Sequence, residues 1–446
     1  MGKSVLIAPV HPLRAELSVP PDKSISHRVA LASLLSQSPV TVTNYLAAED
    51  TLATLSAIKS FGACVEPTRD TIRITGAGLH DAIEPNNVID ARNSGTLIRI
   101  ILGIAAGFGR FSCFSGDDSL RERPMGRVVG PLRRMGAEIR GVAGGERLPM
   151  VVLGNGGGLR SSEHVLPIAS AQVKSCLLFA GLFADGSMAV TEPGSSRDHT
   201  ERLLKACGVE VTIEHVYGGS RRVTLEPPEA LQLPGEIEVP GDFSSAAFWV
   251  TAALVVPGSE VRIRNVGLNP TRTRFLDILS RMGAKVEMRS AVEDDGIGEP
   301  VGELVVRHSR LMATEVGPED VPGAVDELPL LALLGAFAEG ETVVWGAGEL
   351  RVKETDRIQS VCEEFREVGV EIEERPDGFV VLGDPKRGIR GGRANSRGDH
   401  RIAMGLAIAG LASEGGVEVG NLEAAAISYP GFLRDLERIS GRSDRR

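Results

Sequence analysis

A repeated sequence element limits the possible folds of this chain more than any other feature. The element is the end of a helix, then a glycine, then a short strand with alternating apolar residues. Glycine is common directly after a helix, because it adopts the left-handed backbone conformation at little cost. Five copies are centred on Gly62, Gly136, Gly208, Gly283 and Gly369, at intervals of 72 to 86 residues. This periodicity predicts that one structural unit is used several times.

Another helix precedes the glycine in each unit, and its nearly all-apolar sequence predicts burial. Most of these helices start with a residue that can cap a helix N-terminus. The six predicted starts are Asp22, Asn93, Ser170, Asp242, Asp326 and Asp399, the last in a sixth unit that ends near the C-terminus. We therefore predict an α/β protein of six strand–helix–strand–helix–strands units.

Six such units can form either a solenoid or two globes of three units. Residues 19–24 and 239–244 share a Val-Pro-x-Asp-x-Ser pattern, so the fourth unit repeats the start of the first. This favours two domains, 1–18 plus 239–446 and 19–238, with a cleft between them. The first strand, residues 3–8, should pair with the second globe, so that the chain crosses between the globes twice.

Composition excludes several functions. The formal net charge of −10 argues against a general nucleic-acid or membrane surface. The five cysteines lie far apart without a CxxC pair, which indicates reduced thiols and neither a disulfide framework nor a zinc site. The N-terminus has no secretory pattern, and the apolar stretches 97–108 and 328–338 are too short to span a membrane. We predict a cytoplasmic monomer without a metal.

Polar and basic residues concentrate at the predicted helix starts, where free backbone N–H groups favour anions. They come from both halves of the chain, which predicts one shared site in the cleft for phosphorylated, carboxylated ligands. Two acids, Asp326 and Glu354, stand among the bases and suit acid–base chemistry. Taken singly, Asn93 and Ser170 are also explained as helix caps, and His27 and His400 as packed core histidines. The repeated placement of the set favours a binding site.

Five segments resemble signatures of the 5-enolpyruvylshikimate-3-phosphate synthase family: 21–28, 93–96, 123–126, 351–357 and 399–404. The likeness extends over about residues 19–430. Segments 170–175 and 197–200 resemble the glyphosate-tolerant class II branch of that family. The resemblance implies two globular domains of three βαβαββ units each, with the active site between them. It implies no cofactor, and phosphoenolpyruvate and shikimate 3-phosphate as substrates.

The resemblance also implies residue roles. Shikimate 3-phosphate would be held by Lys23, Ser24, Arg28, Ser170, Ala171, Gln172, Arg197, Asp326 and Lys353. Phosphoenolpyruvate would be held by Lys23, Asn93, Gly95, Arg123, Gln172, Arg357 and Arg401. The catalytic residues would be Asp326, which takes the proton of the 5-hydroxyl, Glu354, which protonates the methylene carbon, and Lys23.

Two positions depart from the family pattern. Ala171 replaces a frequent serine and offers only its backbone N–H. Ile427 stands where many class I members carry a lysine, so one cation of the phosphoenolpyruvate clamp is absent.

Three other functions remain as alternatives. An enolpyruvyl transferase acting on UDP-N-acetylglucosamine shares the fold and the donor, but it would have Asn at Ser24 and a Cys in the loop near 121–125. RNA 3′-phosphate cyclase shares the repeat unit, but the acidic balance opposes it. A non-catalytic binding protein of the same fold is the third alternative, although both candidate acids and all the named bases except the lysine replaced by Ile427 are present.

Overall fold

The computed structural model describes residues 4–10, 12–154, 156–216, 219–292 and 296–441. Contacts divide the chain into two compact units. Unit 1 comprises Met1–Pro20, Gly241–Val292 and Pro300–Arg446, and unit 2 comprises Pro21–Pro240 and Glu293–Glu299.

Strands and helices are numbered in chain order. The strands in the described ranges are β1 (Ser4–Ile7), β2 (Arg14–Ser18), β3 (Val40–Thr43), β4 (Cys64–Pro67), β5 (Thr71–Thr75), β6 (Ile89–Asp90), β7 (Ser112–Ser115), β8 (Glu138–Val142), β9 (Arg147–Leu153), β10 (Glu163–Val165), β11 (Met188–Glu192), β12 (Val211–His215), β13 (Arg221–Leu225), β14 (Glu236–Glu238), β15 (Glu260–Gly267), β16 (Lys285–Val292), β17 (Val301–Arg307), β18 (Leu311–Met312), β19 (Glu315–Val316), β20 (Ala338–Val344), β21 (Ile372–Arg375), β22 (Gly378–Gly383), β23 (Gly392–Asn395) and β24 (Val417–Gly420).

The α-helices in the same ranges are α1 (Lys23–Leu34), α2 (Glu49–Ser60), α3 (Gly95–Phe108), α4 (Asp118–Glu122), α5 (Gly126–Arg134), α6 (Ala171–Gly181), α7 (His199–Ala206), α8 (Phe243–Val255), α9 (Arg274–Arg281), α10 (Val321–Ala324), α11 (Leu330–Ala336), α12 (Arg357–Glu367), α13 (His400–Ala412) and α14 (Phe432–Ile439). None of the helices described is long and apolar enough to cross a membrane.

Unit 2 contains three four-stranded sheets of one topology. Their strand orders are β14-β3-β5-β4, β6-β7-β9-β8 and β10-β11-β13-β12. In each sheet the first pair is parallel and the other two pairs are antiparallel. The predicted α/β repeat is therefore confirmed in unit 2.

Unit 1 repeats this topology with two variations. One sheet has the order β16-β17-β15-β2, and the next has the order β18-β20-β22-β21 with β19 as an additional parallel neighbour of β20. The third sheet, β1-β24-β23, has three strands. In this sheet β1 supplies the antiparallel partner of β24, which is the predicted role of the first strand.

The glycines that mark the sequence repeat have the backbone conformation expected of them. Gly62, Gly136, Gly208, Gly283 and Gly369 have φ values between 78° and 103°. Residues other than glycine rarely adopt this region, so glycine ends the second helix in these five repeats, and the chain then continues into the next strand.

Each unit has its own hydrophobic core, formed around the apolar helices. In unit 2 these are α1, α3 and α6, and in unit 1 they are α8, α11 and α13. All 13 residues of α8 are buried. Helices α3 and α6 approach closely at Gly103. A Cβ at this position would lie only 2.1 Å from the carbonyl oxygen of Cys176, so a larger residue would not fit. The helix starts in each unit are thereby fixed by a packed core.

Two local predictions were wrong. Asp326 does not start the apolar helix, since α11 begins at Leu330 and Asp326 lies in the turn after α10. The chain also has a crossing that the sequence did not predict, because 293–299 belongs to unit 2. In its described part, the carbonyl oxygen of Gly298 accepts a 2.7 Å hydrogen bond from Arg202.

Candidate active site

The helix starts of unit 2 are capped by side chains. Asp22 accepts a hydrogen bond from the backbone N–H of Ile25 at 2.9 Å, and Ser170 caps α6. Helix α3 is capped by Ser94, so the expectation that Asn93 starts this helix was off by one residue. The caps place the first turns of α1, α3 and α6 so that the residues following each cap can meet an anion.

Two arginines converge above the start of α3. Arg99 donates to the side-chain oxygen of Gln172 at 2.9 Å, and Gln172 donates to Thr96 at 3.1 Å. Arg123 donates to the side chain of Asn93. A Cβ at Gly95 would lie 2.8 Å from Nη1 of Arg99 and 3.3 Å from Nη1 of Arg123. The structure thus brings Gly95, Arg123, Asn93 and Gln172 together and adds Arg99, which the sequence reasoning did not include.

Arg28 is buried and is already engaged within unit 2. Its guanidinium donates to Thr200 and Ser175, each at 2.8 Å, and to the carbonyl oxygen of Ser24 at 2.9 Å. Burial is the main cause that lowers the pKa of Arg28 to about 10, and the charge of Arg197 lowers it further while Glu201 opposes them. Three hydrogen bonds therefore hold the Arg28 guanidinium in a fixed orientation.

Lys23 begins α1 and forms an ion pair with Asp50. The Lys23 side chain is 25% exposed, whereas the Asp50 side chain is 9% exposed. Lys23 therefore has a carboxylate partner while its side chain stays partly exposed.

A buried ion cluster lies under the loop that carries Arg197. The Lys174 ammonium contacts Glu192 at 2.7 Å and Glu201 at 2.8 Å, and all three side chains are almost completely buried. Glu192 accepts from the backbone N–H and the hydroxyl of Ser196, at 3.2 and 2.6 Å. Ser196 directly precedes Arg197, so the cluster fixes this loop. Only a polar Lys174 inside an apolar helix signalled it in the sequence.

Unit 1 contains a second charged cluster, centred on Asp326. Its carboxylate lies 3.4 Å from Arg357, 3.4 Å from Arg401 and 3.7 Å from Arg272. Arg401 also donates to the backbone carbonyl of Asp326 at 3.2 Å. Asp326 and Arg401 were predicted to belong to the site, whereas Arg272 was not. The Asp326 side chain is 14% exposed, which leaves an edge of it open.

Arg357 links Asp326 to the second candidate acid, Glu354. Its guanidinium contacts Glu354 at 2.5 Å and Asp399 at 2.7 Å. Burial alone would lower the pKa of Arg357, but the surrounding carboxylates raise it above its usual value. Arg357 is 1% exposed, and Glu354 is 35% exposed. The Arg357 guanidinium is therefore surrounded by three carboxylates, of which Glu354 is the most exposed.

The sequence analysis also singled out Lys353, Asp399, His400 and Ile427 in unit 1. Lys353 contacts Glu349 at 2.7 Å and is 24% exposed. Asp399 caps α13 by accepting from the backbone N–H of Arg401 at 2.8 Å. Burial lowers the pKa of His400 to about 4, so this histidine is neutral near pH 7. Ile427 is 36% exposed.

Comparison with known proteins gives a consistent result. Residues 7–436 match the family model described as EPSP synthase (3-phosphoshikimate 1-carboxyvinyltransferase). A 3-phosphoshikimate 1-carboxyvinyltransferase of Geobacter sp. (strain M21) is 46% identical, over 97% of this chain and 98% of the relative. One of Bacillus subtilis (strain 168) is 43% identical, over 97% of this chain and 99% of the relative.

Solved structures agree with the sequence comparisons. EPSP synthase from Acinetobacter baumannii has a TM-score of 0.86 and 37% identity, covering 98% of this chain and 97% of that one. The enolpyruvyl transferase NikO from Streptomyces tendae has a TM-score of 0.73 at 18% identity, with 98% of each chain covered, which shows the shared fold. The predicted enolpyruvyl transferase fold is confirmed, and this chain belongs to the EPSP synthase (3-phosphoshikimate 1-carboxyvinyltransferase) family.

Proposed function

We propose that this chain transfers the enolpyruvyl group of phosphoenolpyruvate to the 5-hydroxyl of shikimate 3-phosphate and releases phosphate. The family assignment supports the reaction class, which belongs to the shikimate pathway towards chorismate and aromatic amino acids. The observation that carries the proposal is the unit 1 cluster, in which two carboxylates, Asp326 and Glu354, contact one buried guanidinium, that of Arg357.

The division of charge between the units supports one site served by both. Unit 2 supplies Lys23, Arg28, Arg123 and Arg197 for anionic groups, whereas both candidate acids belong to unit 1. Proton transfer and anion binding are needed at the same reacting atoms. We therefore propose that both clusters act on the same pair of substrates, with the residue assignments that the family resemblance implies.

In the proposed reaction Asp326 accepts the proton of the 5-hydroxyl as its oxygen bonds to C2 of phosphoenolpyruvate. Glu354 donates a proton to the methylene carbon, C3, which becomes a methyl group. The product of this addition is a tetrahedral intermediate that still carries the phosphate. Loss of phosphate and of one methyl proton restores the double bond and gives the enolpyruvyl ether. Positioned cations stabilise the charge on both substrates throughout.

The deciding experiment measures phosphate release from phosphoenolpyruvate with shikimate 3-phosphate as acceptor. UDP-N-acetylglucosamine replaces the acceptor in a parallel reaction, and the Asp326→Asn variant serves as the control. We expect phosphate release when shikimate 3-phosphate is the acceptor and none when UDP-N-acetylglucosamine is the acceptor. The enolpyruvyl ether of shikimate 3-phosphate should appear in the product mixture. Release with the nucleotide sugar and not with shikimate 3-phosphate would identify the other transferase. No release with either acceptor would indicate a binding protein.

A further inference from the structure

Three guanidinium groups lie near Asp326, and one of them, that of Arg272, has no role in the proposed substrate contacts. Oδ1 of Asp326 faces Arg357 at 3.4 Å, and Oδ2 faces Arg401 at 3.4 Å and Arg272 at 3.7 Å. Arg357 and Arg401 are both expected to contact phosphoenolpyruvate. The Arg272 side chain is only 4% exposed and is not among the residues that the family resemblance implies as ligands.

Arg272 is itself held on several sides. Its Nη2 donates to Asp242 at 3.1 Å and to the hydroxyl of Ser244 at 2.7 Å, and Ser244 in turn donates to the Glu327 carboxylate. Asp242 caps α8 and accepts from the backbone N–H groups of Ser244 and Ser245. The guanidinium is therefore anchored to the fixed N-terminus of a completely buried helix, which limits its movement.

The backbone of Arg272 is fixed as well. It lies in a turn in which the side chain of Asn269 accepts from the N–H of Thr271 at 2.9 Å. The carbonyl oxygen of Asn269 accepts from the N–H of Arg272 at 2.8 Å. Side-chain turns of this kind set the direction in which the following residue leaves the backbone.

We propose that Arg272 is a positioning residue for Asp326: it fixes Oδ2 and keeps the carboxylate anionic while Arg401 binds the donor. The inference rests on the proposed function, in which Asp326 is the base. When an anion of phosphoenolpyruvate binds Arg401, that guanidinium is shared between the donor and Oδ2, and its hold on Asp326 weakens. Arg272 is anchored through Nη2 to Asp242 and Ser244 and is not among the implied ligand contacts, so its charge stays beside Oδ2 through the reaction.

The sign of the effect follows from the charges around Asp326. Three guanidinium groups face its carboxylate, namely those of Arg272, Arg357 and Arg401. Further carboxylates contact those guanidinium groups or lie next to Asp326 in the chain: Asp242, Glu354, Asp399 and Glu327. Removing one facing cation makes the Asp326 carboxylate harder to ionise. The pKa of Asp326 therefore rises, so the base stays protonated up to a higher pH. As the pH is lowered, the variant loses turnover at a higher pH than the parent does.

The test compares Arg272→Gln with Arg272→Lys, using kcat and KM as functions of pH. For Arg272→Gln we expect kcat at neutral pH to fall about 10- to 100-fold, less than for loss of a proton-transfer group itself. The acidic limb of the kcat profile should move up by about one pH unit or more. Both KM values should stay within about 2-fold, since Arg272 is not among the residues proposed to hold either substrate. Arg272→Lys keeps the cation and should recover most of the turnover.

Loss of Arg272 alone leaves the buried Asp242 carboxylate with less positive charge around it, which endangers folding. The double variant Asp242→Asn/Arg272→Gln removes both members of the pair, and asparagine still caps the helix. Asp242→Asn alone is its reference. A folded double variant whose acidic limb and kcat equal those of the reference overturns the proposal. The proposal is also overturned if the substitution lowers the melting temperature but leaves kcat per folded molecule unchanged.

A second readout does not need activity. In ¹³C-aspartate-labelled protein, the carboxyl signal that is absent from Asp326→Asn reports the titration of Asp326. We expect its midpoint to rise in the double variant relative to Asp242→Asn. An unchanged midpoint refutes the role of Arg272 even if the substrates prove to be different. A raised midpoint in a protein without phosphate release refutes the proposed function and leaves the coupling of Arg272 to Asp326 standing.

Discussion

Gly95→Ala tests the placement of the start of α3 against a bound anion. The new methyl group would lie 2.8 Å from Nη1 of Arg99, so this guanidinium must move by about 0.6 Å to reach an ordinary contact near 3.4 Å. Arg123, at 3.3 Å, needs only a slight shift. The movement of Arg99 strains its 2.9 Å hydrogen bond to Gln172. A bond to a charged group contributes about 1.5–3 kcal/mol, and we expect the shift to remove part of this.

The expected result is a change in affinity without a loss of stability. A partial loss of about 1 kcal/mol corresponds to a rise of roughly 5-fold in KM for phosphoenolpyruvate. Glyphosate, which in this family competes with phosphoenolpyruvate, is longer, so the methyl group should intrude on it first and raise its inhibition constant more. Alanine favours a helix over glycine by about 1 kcal/mol, so the melting temperature should not fall.

The assay measures KM for phosphoenolpyruvate, the inhibition constant of glyphosate and the melting temperature. Gly130→Ala is the matched control, because Gly130 also lies in a helix of unit 2 and a Cβ there would meet only Arg134, at 3.9 Å. This control should leave both constants unchanged. An equal rise of both constants in Gly95→Ala, or a rise for phosphoenolpyruvate alone, would refute the placement of Gly95 beside the inhibitor.

Three further predictions concern the charged clusters. Asp326→Asn and Glu354→Gln should each lower kcat about 10²- to 10⁴-fold with much smaller changes in KM for shikimate 3-phosphate; full activity at neutral pH removes that residue from the chemistry. Arg123→Gln and Arg401→Gln should each raise KM for phosphoenolpyruvate by about 10-fold or more, although the two arginines lie in different units. If only one of the two substitutions raises this KM, the result argues against binding by both units. Lys174→Met leaves two buried carboxylates without their cation and should cost about 3–5 kcal/mol, seen as a lower melting temperature; an unchanged melting temperature contradicts the buried cluster.

The accuracy of the sequence predictions depended on how local each feature is. Helix caps such as Asp22, Ser170 and Asp242 depend on hydrogen bonds to residues two or three positions away, and a sequence shows these directly. The repeated glycines report the conformation of one backbone position. Both kinds of feature could therefore be predicted, and with them the α/β repeat.

The missed features depend on contacts between distant residues. Arg272 meets Asp326, 54 positions later in the chain, and Arg99 meets Gln172, 73 positions later. Arg99 lies beyond the first turn of α3, away from the helix starts where the sequence reasoning looked for ligands. Arg272 does precede a helix start, the N-cap Thr273 of α9, but its contact with Asp326 is not visible in the sequence. The excursion of 296–299 into unit 2 depends on tertiary contacts such as that between Gly298 and Arg202. Asp326 was assigned to a helix start because the apolar run after it was taken to begin there, whereas Pro329 delays the helix to Leu330.

The surroundings of the two candidate acids explain why they would have different roles. Asp326 is 14% exposed and faces three guanidinium groups, so adding a proton to it would leave a concentrated positive charge with little solvent nearby. Glu354 is 35% exposed, and its partner Arg357 also contacts Asp326 and Asp399. When Glu354 carries a proton, those two carboxylates still balance the charge of Arg357. Environments that differ in this way separate acid from base within one site. These surroundings support the proposal that Asp326 is ionised before it accepts the hydroxyl proton and that Glu354 carries the proton that phosphoenolpyruvate receives.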